Sequence, residues 1–95
     1  MSVVITHNKD ERQFFAEVDG ARALLEYSVT VKGRTLDFQS TFVPPPLRGR
    51  HIAQDIVKFA LEYAKENNYT IIPSCPFVKY YIDKHPEYLD ITVRI

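Results

Sequence analysis

A second cysteine is missing from these 95 residues, so the lone Cys75 excludes an internal disulfide. Cys75 and the three scattered histidines, His7, His51 and His85, also lack the paired spacing of zinc ligands, and no metal site is expected. Net charge is missing too. Twelve basic residues balance twelve acidic ones, so no whole-molecule field draws DNA, RNA or an anionic membrane. No window approaches the roughly 18 apolar residues of a membrane span, and the start "MSVVITHNKDERQFF" has no basic segment leading into a long apolar run. These absences predict a cytoplasmic protein with neither membrane nor nucleic acid as its main partner. Repeats, low-complexity tracts and linker-like stretches are lacking as well. One domain over residues 1–95, folding as a monomer, is the expectation.

What is present suffices for a packed interior: 45% of the residues are hydrophobic and 13% aromatic. The first half carries a period of two. Val3 and Ile5 alternate with Val4 and Thr6, and Phe14, Ala16 and Val18 alternate with Phe15 and Glu17 up to Asp19-Gly20, a strong hairpin pair. Ala23, Leu25, Tyr27, Val29 and Val31 then share one parity. After Lys32-Gly33, the residues Leu36, Phe38, Ser40 and Phe42 continue the pattern, which predicts an antiparallel meander of three or four strands.

The second half changes period. Ile52, Ala53, Ile56, Val57, Ala60, Leu61 and Ala64 recur at helical spacing, and Asn67-Asn68 suit the helix end. Residues 69–75, "YTIIPSC", read as a short buried strand. A helix between two strands is the crossover that a parallel pair requires, so this strand is expected to run parallel to the one ending near Val43. Pro76 suits a first helical position, and Phe77, Val78, Tyr81 and Ile82 form one face of a short helix ending before His85-Pro86. "YLDITVRI" is expected to add a last strand. The fold class is α/β (α+β), with an N-terminal antiparallel meander followed by a parallel β-α-β unit and a short C-terminal helix.

The two helix starts carry the chemistry. In "VPPPLRGRHIAQ", residues 43–54, Gly49 permits close backbone approach and Arg48 and Arg50 offer charged donors. The first helical amides and the helix dipole add a place for an anion. A stiff strand-to-helix turn with two solvated arginines has the same composition, and the sequence leaves both open. If Pro76 is the first helical residue, Cys75 is the cap, where the dipole favours a thiolate; a small buried residue ending a strand would look alike. Tyr80 and Tyr81 follow. Only Tyr81 falls on the apolar face, where it serves either as a core aromatic or as a nearby phenolic acid. Parallel strands leave both helix starts on one sheet edge, where α/β sheets bind ligands, so an elongated ligand with a pyrophosphate at one end could join them.

These residues resemble the acetyl-CoA pyrophosphate loop of the GNAT superfamily of N-acetyltransferases, Val-x-Pro-x-x-Arg/Gln-Gly-x-Gly-x-Gly/Ala. Val43, Pro45, Arg48, Gly49 and Ala53 match. The whole chain resembles the short GNAT-like proteins in which Ser-Cys-Pro-Phe, here residues 74–77, precedes His-Pro-Glu-Tyr, here residues 85–88. The resemblance implies acetyl-CoA as co-substrate, with its pyrophosphate on the amides of Arg48, Gly49, Arg50, His51, Ile52 and Ala53. It also implies a pantetheine arm along Phe42 and Val43, with Pro76 and Phe77 in the same site. Cys75 then corresponds to the suspected catalytic residue, as transient acyl acceptor or as the acid that reprotonates the coenzyme thiolate, and Tyr81 falls near the family's tyrosine acid. His51 stands where the loop's second glycine is expected. A helical position would tolerate it, yet its Cβ obstructs phosphate approach and its imidazole adds a donor at mildly acid pH, so weakened activity is expected.

Three functions compete: transfer of acetyl from acetyl-CoA to an amine, a coenzyme-binding module without turnover, and a small protein- or RNA-contacting domain using Arg48 and Arg50. The acceptor, a small molecule or a protein, is not encoded legibly. So short a chain lacks the extra elements that wall an acceptor site, which predicts an open groove or a partner protein.

Overall fold

The apolar alternation of the first half folds as strands. The computed structural model describes residues 3–93 of the chain. Strands β1 (Thr6–Asn8), β2 (Gln13–Val18), β3 (Ala21–Thr30) and β4 (Thr35–Phe42) form an antiparallel meander. Helix α1 (Ile52–Glu66) crosses over to β5 (Thr70–Ile72), and α2 (Pro76–Lys84) follows. The five-stranded sheet has the order β1-β2-β3-β4-β5, with β5 parallel to β4. The predicted Asp19-Gly20 hairpin is present with positive φ at both residues, 52° and 79°, the backbone of a tight turn that matches strand twist.

Phe14, Ala16, Ala23, Leu25, Tyr27, Leu36 and Phe38 form the buried face of the sheet. The apolar stripe of α1, with Ile56, Val57, Ala60, Leu61 and Ala64 all buried, joins them in one core with Val78, Tyr81 and Ile82 of α2. Helix α1 closes as its asparagines suggest. Asn68 takes a left-handed φ of 61°, and the Tyr69 N–H donates to Ala64 O at 2.9 Å, satisfying an otherwise orphaned carbonyl.

A register shift interrupts β4. Glu26 pairs with Ser40 but Tyr27 pairs with Phe38, which leaves Gln39 as a bulge. The extra residue reverses parity downstream. Thr41, opposite the buried Leu25, faces the helices, while Phe42, opposite Leu24, points to the other side of the sheet and is 52% exposed. The single parity expected through Ser40 and Phe42 therefore breaks at Gln39.

Four further expectations change. Strand β1 begins only at Thr6: Val3 and Ile5 pack against the core from outside any strand, and Val4 is exposed. Val29 keeps the expected parity but is half-exposed at the far end of the sheet. The strand expected over residues 69–75 spans only Thr70–Ile72, because Pro73 has no N–H for the ladder. The C-terminal strand is replaced by a 3-10 turn, Pro86–Ile91, pinned by the buried Tyr88, whose hydroxyl donates to the Glu62 carboxylate. Among the described residues one bridge, between Ile71 and Thr92, is the strand pairing there, and the last two residues of that expected strand, Arg94 and Ile95, lie outside the described residues.

At the meander end, the His7 ring stacks on Phe14 with centroids 4.1 Å apart and shares a hydrogen bond between Nε2 and the Tyr27 hydroxyl. Burial, helped by the nearby Lys9 ammonium, holds the His7 pKa below its ordinary value. Between the lowered native value and the unfolded value of about 6.5, the unfolded chain binds more protons, so this contribution is complete above about pH 6.5 and is lost as pH falls through the native value. The thermal midpoint should drop between pH 6.5 and 5, and His7→Gln should flatten that slope. A slope unchanged by His7→Gln would assign it to other groups.

Candidate functional site

The site begins where β4 and β5 part. Their parallel pairing covers only Thr35↔Thr70 to Asp37↔Ile72; beyond it the Cys75 N–H donates to Phe38 O at 2.8 Å. Past Phe38 the bulged β4 has no strand neighbour on that side among the described residues. Its backbone edge opens between the two strands.

The loop from β4 to α1 is built stepwise. Pro44 is extended, Pro45–Leu47 form one 3-10 turn, and Leu47, 1% exposed, anchors that turn in the core. Gly49 has φ 80° and His51 has φ 61° with ψ 20°, both left-handed. His51 is thus the cap before the helix rather than a helical residue, correcting the expectation that histidine sits there without conformational cost; a left-handed L-residue costs about 1–2 kcal/mol. Alternating left-handed residues turn successive amides to one side, as in an anion nest. Among the described residues, no N–H of residues 49–54 bonds to another backbone group, the first to do so being Asp55 N–H to His51 O at 3.1 Å. Those amides are open to a ligand.

Beside them lies a cleft of about 250 Å³ lined by Val43, Leu47, Arg48, Gly49, His51, Ile52, Ala53, Gln54 and Phe77. Seven residues expected from the sequence, Val43, Arg48, Gly49, His51, Ile52, Ala53 and Phe77, thus converge on one cleft. Phe42, Arg50 and Pro76 do not line it. Phe42 is turned away by the bulge, and the Arg50 guanidinium reaches Asp19 at 3.4 Å in the β2–β3 turn. Arg48 donates from Nε to Val43 O at 3.0 Å, bracing the two ends of the proline turn together. Leu47 and Gln54 lie in the loop segment that the sequence singles out, but neither was expected as a site residue. Gln54 meets His51 at 2.7 Å between Oε1 and Nδ1, fixing the ring, and the spacing of three residues across a helix start was the available signal.

Cys75 caps α2 as expected, with Pro76 at the first helical position. Its sulfur lies 3.4 Å from the Thr41 hydroxyl, which the bulge delivers to this face. Burial favours the neutral thiol. Hydrogen bonding from the Thr41 hydroxyl and the amides of Val78, Phe77 and Thr41 outweighs it, and the Cys75 pKa lies below its ordinary value. Because Val43 follows two residues after Thr41 and Phe77 two after Cys75, the Thr41–Cys75 pair adjoins the cleft, although Cys75 itself is 4% exposed and does not line it.

Tyr81 stands apart from the cleft. It is buried, its ring stacked on His85 at 4.0 Å, and burial followed by the charges of Glu87, Asp55 and Glu62 raises its pKa. Tyr80 is exposed and does not line the cleft either. Among the described residues no His, Cys, Asp and Glu group could hold a metal, and no helix is long and apolar enough to cross a membrane.

Comparison with known proteins bears on the family and the fold. The chain is similar to Protein NATD1 of Xenopus tropicalis, 32% identical over 93 residues that cover 94% of this chain and 84% of the relative. Against Protein NATD1 of Homo sapiens the identity is 33% over 90 residues, covering 90% and 79%. The solution NMR structure of a GCN5-like candidate N-acetyltransferase from Staphylococcus aureus superposes with a TM-score of 0.74 at 28% identity, over 98% of this chain and 90% of that one. Residues 13–91, from the start of β2 to the end of the C-terminal 3-10 turn, match the family model for GCN5-related N-acetyl-transferase, and the chain belongs to that family.

Proposed function

We propose that this chain transfers an acetyl group from acetyl-CoA to an amine, with the coenzyme pyrophosphate on the free amides of residues 49–54. The observation that carries the reading is those unbonded amides at the mouth of an apolar cleft, beside a thiol of lowered pKa. The backbone edge of β4 beyond Phe38 suits an extended, amide-bearing arm, which would pair with it as a strand does. In the reaction the amine nitrogen bonds to the thioester carbonyl carbon, the carbon–sulfur bond breaks, and one proton passes in net from nitrogen to sulfur. Positioning by the cleft and polarisation of the carbonyl by backbone donors supply most of the acceleration. In this reading Cys75 manages the proton at sulfur, and Tyr81 acts through the packing of α2.

A polymer-contacting role fits less well, because Arg48 is bound to Val43 O and Arg50 to Asp19 rather than both being free for phosphates. A binding module without turnover differs from the transferase only in the chemical step, and measurement separates the two.

Acetyl-CoA at 100 times its Kd should stabilise the protein by about 2.7 kcal/mol in a thermal-shift titration. Arg48→Ala should weaken binding about tenfold, or about 1.4 kcal/mol, by releasing the brace and removing its charge. His51→Gly should tighten binding, because it relieves the left-handed strain and clears the Cβ from the amides. Affinity indifferent to both substitutions would place the coenzyme elsewhere.

Thiol release with an amine acceptor tests the chemistry. Cys75→Ala should keep the coenzyme affinity within about twofold and lower release by about 100-fold, the usual scale for a lost proton-transfer group. Undiminished release would remove Cys75 from the reaction, and release undetectable in the unsubstituted protein despite tight coenzyme binding would favour the binding module.

A further inference from the structure

A second and larger cavity, about 430 Å³, lies at the C-terminal end of β5. Ile72, Leu89 and Val93 give it an apolar floor, and Ser74, Lys79 and Asp83 bring polar groups to it. Its walls are fastened. Val93 N–H donates to Ile71 O at 2.8 Å, Thr92 Oγ1 donates to Tyr88 O at 2.9 Å, and the Tyr88 hydroxyl ties the turn to Glu62 of α1.

Lys79 and Asp83 stand one turn apart on α2, the spacing at which opposite charges usually pair. Here they face the same cavity, and among the described residues neither forms an ion pair or a side-chain hydrogen bond. An ammonium and a carboxylate so placed favour a ligand that carries both complementary charges. A ligand of one sign meets one matched and one opposed group, and a neutral ligand desolvates both without compensation. The volume falls within the range of small-molecule sites.

We propose that this cavity is a second binding site, for a small zwitterion with an apolar body such as an aliphatic amino acid, its carboxylate at Lys79 and its ammonium at Asp83. The site is independent of the coenzyme reading, since it shares no lining residue with the loop cleft.

NMR titration of the 15N-labelled protein without coenzyme tests it with three probes: leucine, leucine methyl ester as the cation alone, and 4-methylpentanoate as the anion alone. Leucine should shift the amide resonances of Ser74, Lys79 and Asp83 and bind at least about tenfold tighter than either singly charged analogue. Lys79→Gln and Asp83→Asn, both on an exposed helix face and so without consequence for folding, should each bring leucine down to the level of the analogues. Equal affinity for all three probes, no shift with millimolar leucine, or shifts confined to the loop cleft would each overturn the proposal.

Discussion

The candidate site depends on the point where two parallel strands stop pairing. Through Asp37↔Ile72 the backbone groups of β4 are satisfied on both sides. One step later only the Cys75 amide, reaching Phe38 O, replaces the missing strand. Buried peptide groups are rarely left without partners, so an edge freed in this way must meet water or a ligand. Pro73 makes the break sharp, because it cannot donate to a continuing ladder. The bulge at Gln39 acts at the same place. It turns Thr41 inward to the Cys75 sulfur and Phe42 outward, so one inserted residue both creates the thiol's hydrogen-bond partner and removes a bulky ring from the opening.

The second constraint is conformational. Between Leu47, fixed in the core, and Ile52, fixed in α1, the chain must turn within a few residues while leaving its amides exposed. Left-handed backbone at Gly49 and His51 accomplishes this, and only at Gly49 is it free of side-chain strain. Non-glycine residues in this region persist where surrounding structure fixes them, commonly at functional sites. Here the ring contact with Gln54 and the helix that follows do the fixing. The same atoms that hold His51 in place put it on the cleft wall, so backbone strain and the lining of the cleft coincide at one residue.

Much of this was legible because it rests on periodicity and on residues with restricted backbones. Asp19-Gly20, the α1 stripe, the asparagine helix end and Pro76 after Cys75 each dictate local geometry, and each appears where the sequence places it. The bulge was not legible. Gln39 has no feature that marks an unpaired residue, and alternation continues through it in letters while reversing in space. The C-terminal segment misled for a related reason: "YLDITVRI" alternates like a strand, but Pro86 and the long-range tie from Tyr88 to Glu62 hold it as a turn. The Arg50 partner, Asp19, lies 31 residues away and could be found only in the folded chain.

Two proton-bearing groups were assigned to the chemistry from sequence, and their surroundings separate them. Both are buried, but burial is opposed at Cys75 by four hydrogen-bonding influences and reinforced at Tyr81 by three carboxylates. The consequences for proton transfer run in opposite directions. A donor that returns a proton to a leaving thiolate works best when its own pKa is no higher than that of the ordinary thiol it protonates. Cys75, with its pKa lowered, meets that condition. Tyr81, raised above the ordinary phenol value of about 10, would give up its proton uphill. Under the proposed transfer these opposite shifts favour Cys75 over Tyr81 as the proton donor, while the buried Tyr81 packs α2, with its cap residue, against the core.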